Sequence, residues 1–163
     1  MRRILICLLV LSLCPLPARA AETVTRGGFV LLLWEAAGGV PFDKTAHPFT
    51  DISEDGVAQA VAWAYEEGLV QGVGGNLFAP ERPLSREECA LLLRRNDALW
   101  GREDWAGDGA AACNDWEDIS PWADDSLYRA CVTGRLPWRE GRLAPREPVT
   151  AEEARAYLSP WLP

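Results

Sequence analysis

One phrase occurs twice in the sequence, as FAPERPLSREECALLL at residues 78–93 and as LAPREPVTAEEARAYL at residues 143–158. The two stretches share Ala-Pro, a later Pro, a Glu-Glu pair and the last Leu. In both, a Ser or Thr is followed three residues later by Glu, which is the pattern of a capping box at the start of a helix. A shorter third copy, VTRGGFVLLL at residues 24–33, keeps the Thr-Arg step and the leucine run. The phrase therefore predicts three equivalent helices.

The similarity extends backwards from the two long copies, because FTDIS at residues 49–53 matches WEDIS at residues 116–120. This match predicts two complete units, at residues 49–96 and 116–159. A truncated first unit at residues 21–40 contains only the closing helix, and residues 97–115 are predicted to be a long surface linker. Repeats of this length bury their apolar faces against one another, because a single unit cannot do so alone.

The apolar residues of the three phrases recur at helical spacing, each on one face. The closing helices at residues 25–37, 85–99 and 150–158 are therefore predicted to form a central three-helix bundle. Two further helices, at residues 56–68 and 122–134, end at a glycine and would form the outer arms. The predicted fold class is mainly α. The glycine pair after Arg26 is expected to weaken the first closing helix.

Residues 1–20 have the features of a secretory signal peptide: two arginines, a short apolar run, two prolines and an Ala-Arg-Ala end. Removing this segment removes three arginines and no acid, so the formal charge changes from −8 to −11. An acidic surface disfavours nucleic acid and anionic membranes as partners. The sequence predicts an exported chain that has no membrane partner once the signal is cleaved.

Three cysteines remain after that cleavage, Cys89, Cys113 and Cys131, and an odd number cannot all pair within the chain. Cys89 lies among leucines and is expected to be a buried apolar residue. A disulfide between Cys113 and Cys131 would be an accessory bond, and the sequence leaves its presence open.

The order of these features resembles the S-layer homology (SLH) repeat: an aromatic-x-Asp-Ile opening, a helix with Trp-Ala or Ala-Trp-Ala, a Gly-rich turn, x-Ala-Pro, then Ser/Thr-Arg. FTDI and WEDI stand for the openings, and VTRGG, LSREE and VTAEE stand for the closing motif. The resemblance implies a pseudo-threefold SLH-type helical domain with a central bundle and helix–loop arms. It also implies a bacterial protein that is secreted and held non-covalently on the cell wall or cell surface. The implied partner is a secondary cell-wall polysaccharide attached to peptidoglycan, often pyruvylated.

The resemblance also implies that the motif arginine lies in a groove between repeats and contributes to glycan binding. Arg26 and Arg86 occupy that position, whereas the third copy has Ala151. Arginine offers a planar two-pronged donor that matches a carboxylate such as that of a pyruvate ketal. Arg86→Ala is accordingly expected to weaken wall binding and to leave the fold intact. The alternative for both arginines is solvent exposure or pairing with an acid.

Three further residues are supporting candidates for ligand contact: Trp122, Asp51 and Asp118. Trp122 is interpreted either as a platform for a sugar ring or as a buried wedge. Asp51 and Asp118 are expected to be N-caps of the helices that follow them, in preference to ligand contacts.

Catalysis is not expected, because His47 is the single histidine and no serine or cysteine has a plausible partner near it in the pattern. No cofactor or metal is expected either. The alternative function is a protein–protein module that completes its repeat set with another SLH-bearing chain, without glycan binding. A remnant without any ligand is a third possibility.

Overall fold

The computed structural model describes residues 21–102, 105, 113–123 and 125–159, so the predicted signal peptide at residues 1–20 lies outside the described residues. The described residues form five α-helices and two short 3₁₀ helices, and their β-pairing is limited to isolated bridges. This confirms the predicted mainly α class. The α-helices are α1 (Arg26–Ala36), α2 (Asp55–Glu66), α3 (Arg86–Leu99), α4 (Ser126–Val132) and α5 (Ala151–Leu158), and the 3₁₀ helices are Trp116–Asp118 and Pro121–Ala123.

The three closing helices begin as the capping pattern predicts. Ser85 and Thr150 each accept a hydrogen bond from the main-chain N–H three residues on. The carboxylate of the glutamate at that position accepts a bond from the main-chain N–H of the cap residue. Thr25 accepts a hydrogen bond from the Gly28 N–H at 3.0 Å. These bonds satisfy main-chain donors that a helix start otherwise leaves unpaired.

The segments that precede these caps meet in a closed ring of main-chain hydrogen bonds. The Val24 N–H donates to the Val149 carbonyl at 2.9 Å, the Val149 N–H donates to the Leu84 carbonyl at 2.9 Å, and the Leu84 N–H donates to the Val24 carbonyl at 3.0 Å. All three residues are buried. Residues 24, 84 and 149 occupy the same place in the three copies of the phrase, so the ring joins equivalent points. The ring shows only that these three points meet. The pseudo-threefold symmetry and the central three-helix bundle stay predictions.

The glycines of the first copy permit a close approach of two segments. The Gly27 N–H donates to the Pro80 carbonyl at 2.8 Å, and a Cβ at Gly27 would lie 3.0 Å from both Pro80 Cβ and Val57 Cγ1. A larger residue would push α1 away from the second unit. Gly27 lowers the helix propensity of α1 by about 1 kcal/mol relative to Ala, but its lack of a side chain permits this tight packing.

The buried apolar side chains form one cluster that draws on all the helices. Helix α1 packs mainly against α2 and also contacts α5, while α3 packs against α4. None of the described helices is long and apolar enough to span a membrane.

The segment predicted as a surface linker is partly buried, which corrects that prediction. Helix α3 continues through Leu99, and the buried Trp105 donates its indole N–H to Asp97 at 3.0 Å. Asp97 is itself buried and pairs with Arg135 at 3.0 Å. Trp105 is therefore tied to α3, because a buried carboxylate requires such partners.

Two aspartates hold the x-Ala-Pro loops, and they are not the pair that sequence matching aligns. Asp51 accepts bonds from the N–H groups of Phe78 (2.9 Å) and Ala79 (2.7 Å). Asp115 accepts the same bonds from Leu143 (3.0 Å) and Ala144 (2.8 Å). Both alanines have a positive φ, 60° and 50°, and such a backbone needs support from outside.

Asp118, the expected counterpart of Asp51, lies exposed in the first 3₁₀ helix. The N-cap of α2 is Glu54, so Asp51 caps no helix either. The expectation that Asp51 and Asp118 act as helix N-caps is therefore wrong. The aspartate equivalent to Asp51 is the one that binds the second x-Ala-Pro loop. That loop is distant in sequence, so the repeat alignment does not reveal it.

We expect Asp115→Asn to destabilise the protein by about 2 kcal/mol, because the amide keeps only one good acceptor for two buried N–H groups. Asp118→Asn is the matched control and is expected to leave stability unchanged, since the side chain is exposed. Urea unfolding followed by circular dichroism measures both. Equal effects of the two substitutions would contradict the assignment of Asp115 as the counterpart of Asp51.

The same carboxylates predict acid sensitivity. Burial alone would raise the pKa of Asp51 and of Asp115, but the main-chain N–H groups that each accepts lower it below the ordinary value. A carboxylate with a lowered pKa stabilises the fold above its unfolded pKa of about 3.9, and this stabilisation is lost as the pH falls through the folded value. We expect the urea midpoint to drop below about pH 4, and to drop less in Asp115→Asn. A pH profile that is identical in the variant would contradict this explanation.

Candidate functional site

The first motif arginine joins α1 to the second unit. Arg26 follows the cap residue, and its guanidinium donates to the Phe78 carbonyl (3.1 Å), the Gln71 carbonyl (2.7 Å) and a carboxylate oxygen of Glu88 (3.1 Å). Its guanidinium carbon lies 4.7 Å from the centroid of the Phe78 ring, within cation–π distance. Arg26 is 7% exposed, so little of it remains for a ligand.

The second motif arginine makes the equivalent connection between α3 and the third unit. Arg86 donates to the Leu143 carbonyl at 2.8 Å and to the Pro137 carbonyl at 2.7 Å. It is 0% exposed, and neither solvent nor a ligand reaches it in this structure. Arg86 therefore joins the start of α3 to the segment before α5, and these contacts argue against the expectation that its removal leaves the fold intact. Arginine suits this task because its donors are fixed in a planar fork.

The third copy shows what happens without such a partner. The Ala151 N–H donates to the Glu22 carbonyl at 2.8 Å, as Arg26 N–H does to Arg82 and Arg86 N–H to Glu147. The main-chain contact is thus kept. Alanine has no side-chain donor, so the third copy lacks the side-chain bonds that Arg26 and Arg86 make.

A cavity of about 630 Å³ lies over α3, between the arms of the second and third units. Its walls include the Leu69–Val73 loop of the second arm, Trp122 from the second 3₁₀ helix, and Arg146 from the loop before α5. Its volume is in the range of sites for small ligands. Of the residues proposed from sequence, Arg26 and Trp122 line this cavity, whereas Arg86, Asp51 and Asp118 do not.

The cavity is richer in positive than in negative side chains, although the chain as a whole carries a formal charge of −8. Four arginines line it against two glutamates. Burial lowers the pKa of Arg26 from its ordinary value, Glu88 opposes this, and the charges of Arg82 and Arg95 lower it further. Arginine nevertheless stays protonated in proteins, so the cavity attracts anions at short range. The lining arginines are Arg26, Arg82, Arg95 and Arg146, and the glutamates are Glu87 and Glu88.

Both glutamates of the cavity are occupied by partners of their own. Glu88 pairs with Arg26 and with Arg82, and it closes the capping box on Ser85. Burial alone would raise the pKa of Glu88, but the Arg82 and Ser85 bonds and the Arg26 charge lower it. Glu87 accepts bonds from the N–H (2.9 Å) and the hydroxyl (3.0 Å) of Ser120. These bonds hold the arms in place, and the ion pairs of Glu88 involve only Arg26 and Arg82.

Trp122 is 53% exposed, so the interpretation as a buried wedge does not apply. A large aromatic side chain at the edge of a basic cavity offers a flat apolar face to a ring-shaped ligand. Sequence reasoning missed Arg82, Arg95 and Arg146 because none of them stands at the motif position after the Ser or Thr, and only the fold brings them together. The one signal for them was a cluster of arginines in an acidic chain.

The sequence model of the S-layer homology domain family matches residues 48–90. Relatives include an exoglucanase XynX of Acetivibrio thermocellus, 26% identical over 85% of this chain and 13% of the relative. An amylopullulanase of Thermoanaerobacterium thermosulfurigenes is 27% identical over 84% of this chain and 7% of its own length. A surface-layer 125 kDa protein of Lysinibacillus sphaericus is 28% identical over 68% of this chain and 9% of its own length.

Residues 48–90 are therefore recognised as an S-layer homology domain, a non-catalytic module of the class that anchors proteins to the cell wall. The chain spans less than a sixth of the length of each of these relatives. The recognition drawn from the repeated phrase is confirmed, while the number of repeats and the truncation of the first stay predictions.

We expect Arg86→Ala to cost about 3 kcal/mol or more, because it leaves the buried Leu143 carbonyl without its donor, removes the bond to the Pro137 carbonyl and opens a cavity. Arg155→Ala on the exposed side of α5 is the matched control and should change stability by less than about 0.5 kcal/mol. Thermal and urea unfolding measure the difference. An Arg86→Ala protein as stable as the control would show that these bonds contribute nothing.

Proposed function

We propose that this chain is an exported, non-catalytic wall-binding protein that holds a secondary cell-wall polysaccharide non-covalently in the cavity over α3. The observation that carries the proposal is a ligand-sized basic cavity with an exposed tryptophan, set in an acidic chain that contains an S-layer homology domain. The polymer would be attached to peptidoglycan, and the protein would remain at the cell surface through it.

The charge of the cavity supports an acidic glycan, such as one with pyruvate ketals. The net charge of the chain repels an anionic polymer at a distance, and salt screens this repulsion beyond about 8 Å under physiological conditions. Binding then depends on contacts inside the cavity, where arginines outnumber glutamates. A ketal carboxylate presents two oxygen atoms to such donors.

Trp122 supports a ligand built of rings. Its side chain is half exposed although it lies beside the apolar part of the cavity wall, which includes Leu91 and Leu92. A sugar ring stacked on the indole would cover this surface and gain apolar contact without requiring a hydrogen bond. Arg26, fixed by its bonds to the second unit, would contribute positive charge to the cavity wall.

We also propose the division into three units, at residues 21–40, 49–96 and 116–159. It is supported by the hydrogen bonds that Val24, Leu84 and Val149 exchange in a cycle. The cavity would then be the groove between the arms of the two complete units.

We expect the purified protein to sediment with peptidoglycan that retains its secondary polymer and to stay in solution with acid-extracted peptidoglycan. Trp122→Ala should weaken sedimentation about tenfold, equivalent to about 1.4 kcal/mol, through loss of the stacking surface.

Trp100→Ala is the matched control, because Trp100 is 51% exposed and lies outside the cavity lining. Equal losses of sedimentation in the two variants would contradict binding of the polymer in the cavity. Failure of the unsubstituted protein to bind either wall preparation would contradict the proposed function and favour a protein partner.

A further inference from the structure

The segment before the first 3₁₀ helix places Cys113 where the second unit has Phe49. Asp51 and Asp115 hold the two x-Ala-Pro loops through the same pair of main-chain bonds, so they mark equivalent points of the two arms. Phe49 and Cys113 each lie two residues before that aspartate. Both side chains pack against the apolar core, Phe49 as a buried residue and Cys113 as a partly buried one.

The end of α4 places Cys131 where α2 has Tyr65. The Gly68 N–H donates to the Tyr65 carbonyl at 3.0 Å, and the Gly134 N–H donates to the Cys131 carbonyl at 3.2 Å. The next turn keeps the same spacing in both arms, with bonds from Val70 to the Ala64 carbonyl and from Leu136 to the Ala130 carbonyl. Tyr65 and Cys131 are therefore equivalent.

These equivalent positions touch each other in the second arm. The Phe49 ring lies edge-on to the Tyr65 ring, with 5.5 Å between centroids, and its centroid lies 5.4 Å from that of Phe78. In the third arm the three counterparts are the two cysteines and Leu143, all of which have smaller side chains. Apolar contact stabilises roughly in proportion to its area, so this place in the third arm gains less from packing. Because thiols occupy less space than rings, the two segments can also approach more closely.

The contacts of Leu143 place the two cysteine segments beside each other. Arg86 donates to the Leu143 carbonyl at 2.8 Å and to the Cys131 sulfur at 3.5 Å. The Leu143 N–H donates to Asp115 at 3.0 Å, and Cys113 lies two residues before Asp115. Both cysteine segments therefore border one buried residue.

The two thiols differ in exposure and in acidity. Cys131 is 3% exposed, whereas Cys113 is only partly buried. Burial raises the pKa of Cys131 to about 11, the charge of Arg86 and its bond to the sulfur oppose this rise, and the charge of Cys113 adds to it. One charge acts on another in this way only over a short distance. The third thiol, Cys89, is fully buried in α3.

We infer that Cys113 and Cys131 form a disulfide in the exported protein, which joins the segment before the first 3₁₀ helix to α4. The inference rests on export, which is part of the proposed function, and does not depend on what the cavity binds. Disulfides persist in secreted and cell-surface proteins, where the surroundings are oxidising. The bond would close a loop of about 20 residues that carries Trp122, so it would brace the wall of the cavity on the side of the third unit.

Both residues are thiols in this structure, so a disulfide oxidant such as oxidised glutathione forms the bond. The more exposed Cys113, as its thiolate, attacks one sulfur of the oxidant, which gives a mixed disulfide and releases one thiol. The Cys131 thiolate then attacks the Cys113 sulfur, and the second thiol leaves. Two electrons and two protons pass to the oxidant, which ends as two thiols.

The test equilibrates the purified protein with oxidised glutathione, alkylates the remaining thiols and maps tryptic peptides with and without reduction. Trypsin cuts after Arg102, Arg129 and Arg135, so the two cysteines fall on separate peptides. We expect peptide 103–129 to be linked to peptide 130–135 and Cys89 to be alkylated. Reduction should lower the melting temperature by about 5–10 °C, because it releases the closed loop.

Serine and alanine variants separate the proposed pair from the third thiol. Cys113→Ser and Cys131→Ser should each abolish the linked peptide and the effect of reduction on the melting temperature. Cys89→Ala is the matched control and should keep both. Because Cys113 is partly exposed, its serine variant is expected to fold.

Alkylation of both cysteines after oxidation, or glutathione that remains attached to Cys113, would overturn the inference. A linked peptide whose reduction leaves the melting temperature unchanged would overturn the bracing role. Sedimentation with walls is a separate measurement: a linked peptide in a protein that binds no wall would support the disulfide and contradict the proposed glycan binding.

Discussion

The closed ring of main-chain hydrogen bonds among Val24, Leu84 and Val149 is the constraint on which the rest of the structure depends. Each bond joins segments that are far apart in sequence, and each is buried, so an unpaired group would cost stability directly. Because each of these residues lies one position before a helix cap, the ring fixes where α1, α3 and α5 begin. The positions of the arms follow, since every arm is bonded to a residue at the start of a closing helix.

The motif arginine is the second feature that sets the position of the arms. Arg26 and Arg86 cross from one unit to carbonyl groups on the loops of the next, at Phe78 and Leu143 among others. Ala151 keeps the main-chain bond of the series but has no side-chain donor for such a crossing. A motif arginine can therefore stabilise the fold without its side chain touching a ligand.

The sequence predicted the class of the fold and the helix starts well, because capping boxes and apolar periodicity are local features. Arg26 and Trp122, which the family resemblance indicated as ligand contacts, line one cavity, and their contact with a ligand stays a prediction. The sequence failed where the outcome depends on distant partners: Asp115 and not Asp118 holds the second x-Ala-Pro loop, and Arg86 is buried. A match of five letters could not reveal which aspartate meets that loop. Arg82, Arg95 and Arg146 were missed for the same reason, since they converge only in the folded chain.

The location of the cavity follows from how many arms each closing helix has beside it. Helix α3 has the second arm on one side, through the Leu69–Val73 loop, and the third arm on the other, through Trp122 and Arg146. Within the described residues, α1 and α5 each have an arm on one side. A ligand over α3 touches both arms, so its affinity depends on their relative position as well as on the groups that it contacts. Arg86 and the buried ring of main-chain bonds set the relative position of the two arms. Substitutions at Arg86 or in the ring would therefore alter binding without any contact to the ligand. A loss of binding in a variant thus does not by itself identify a contact residue.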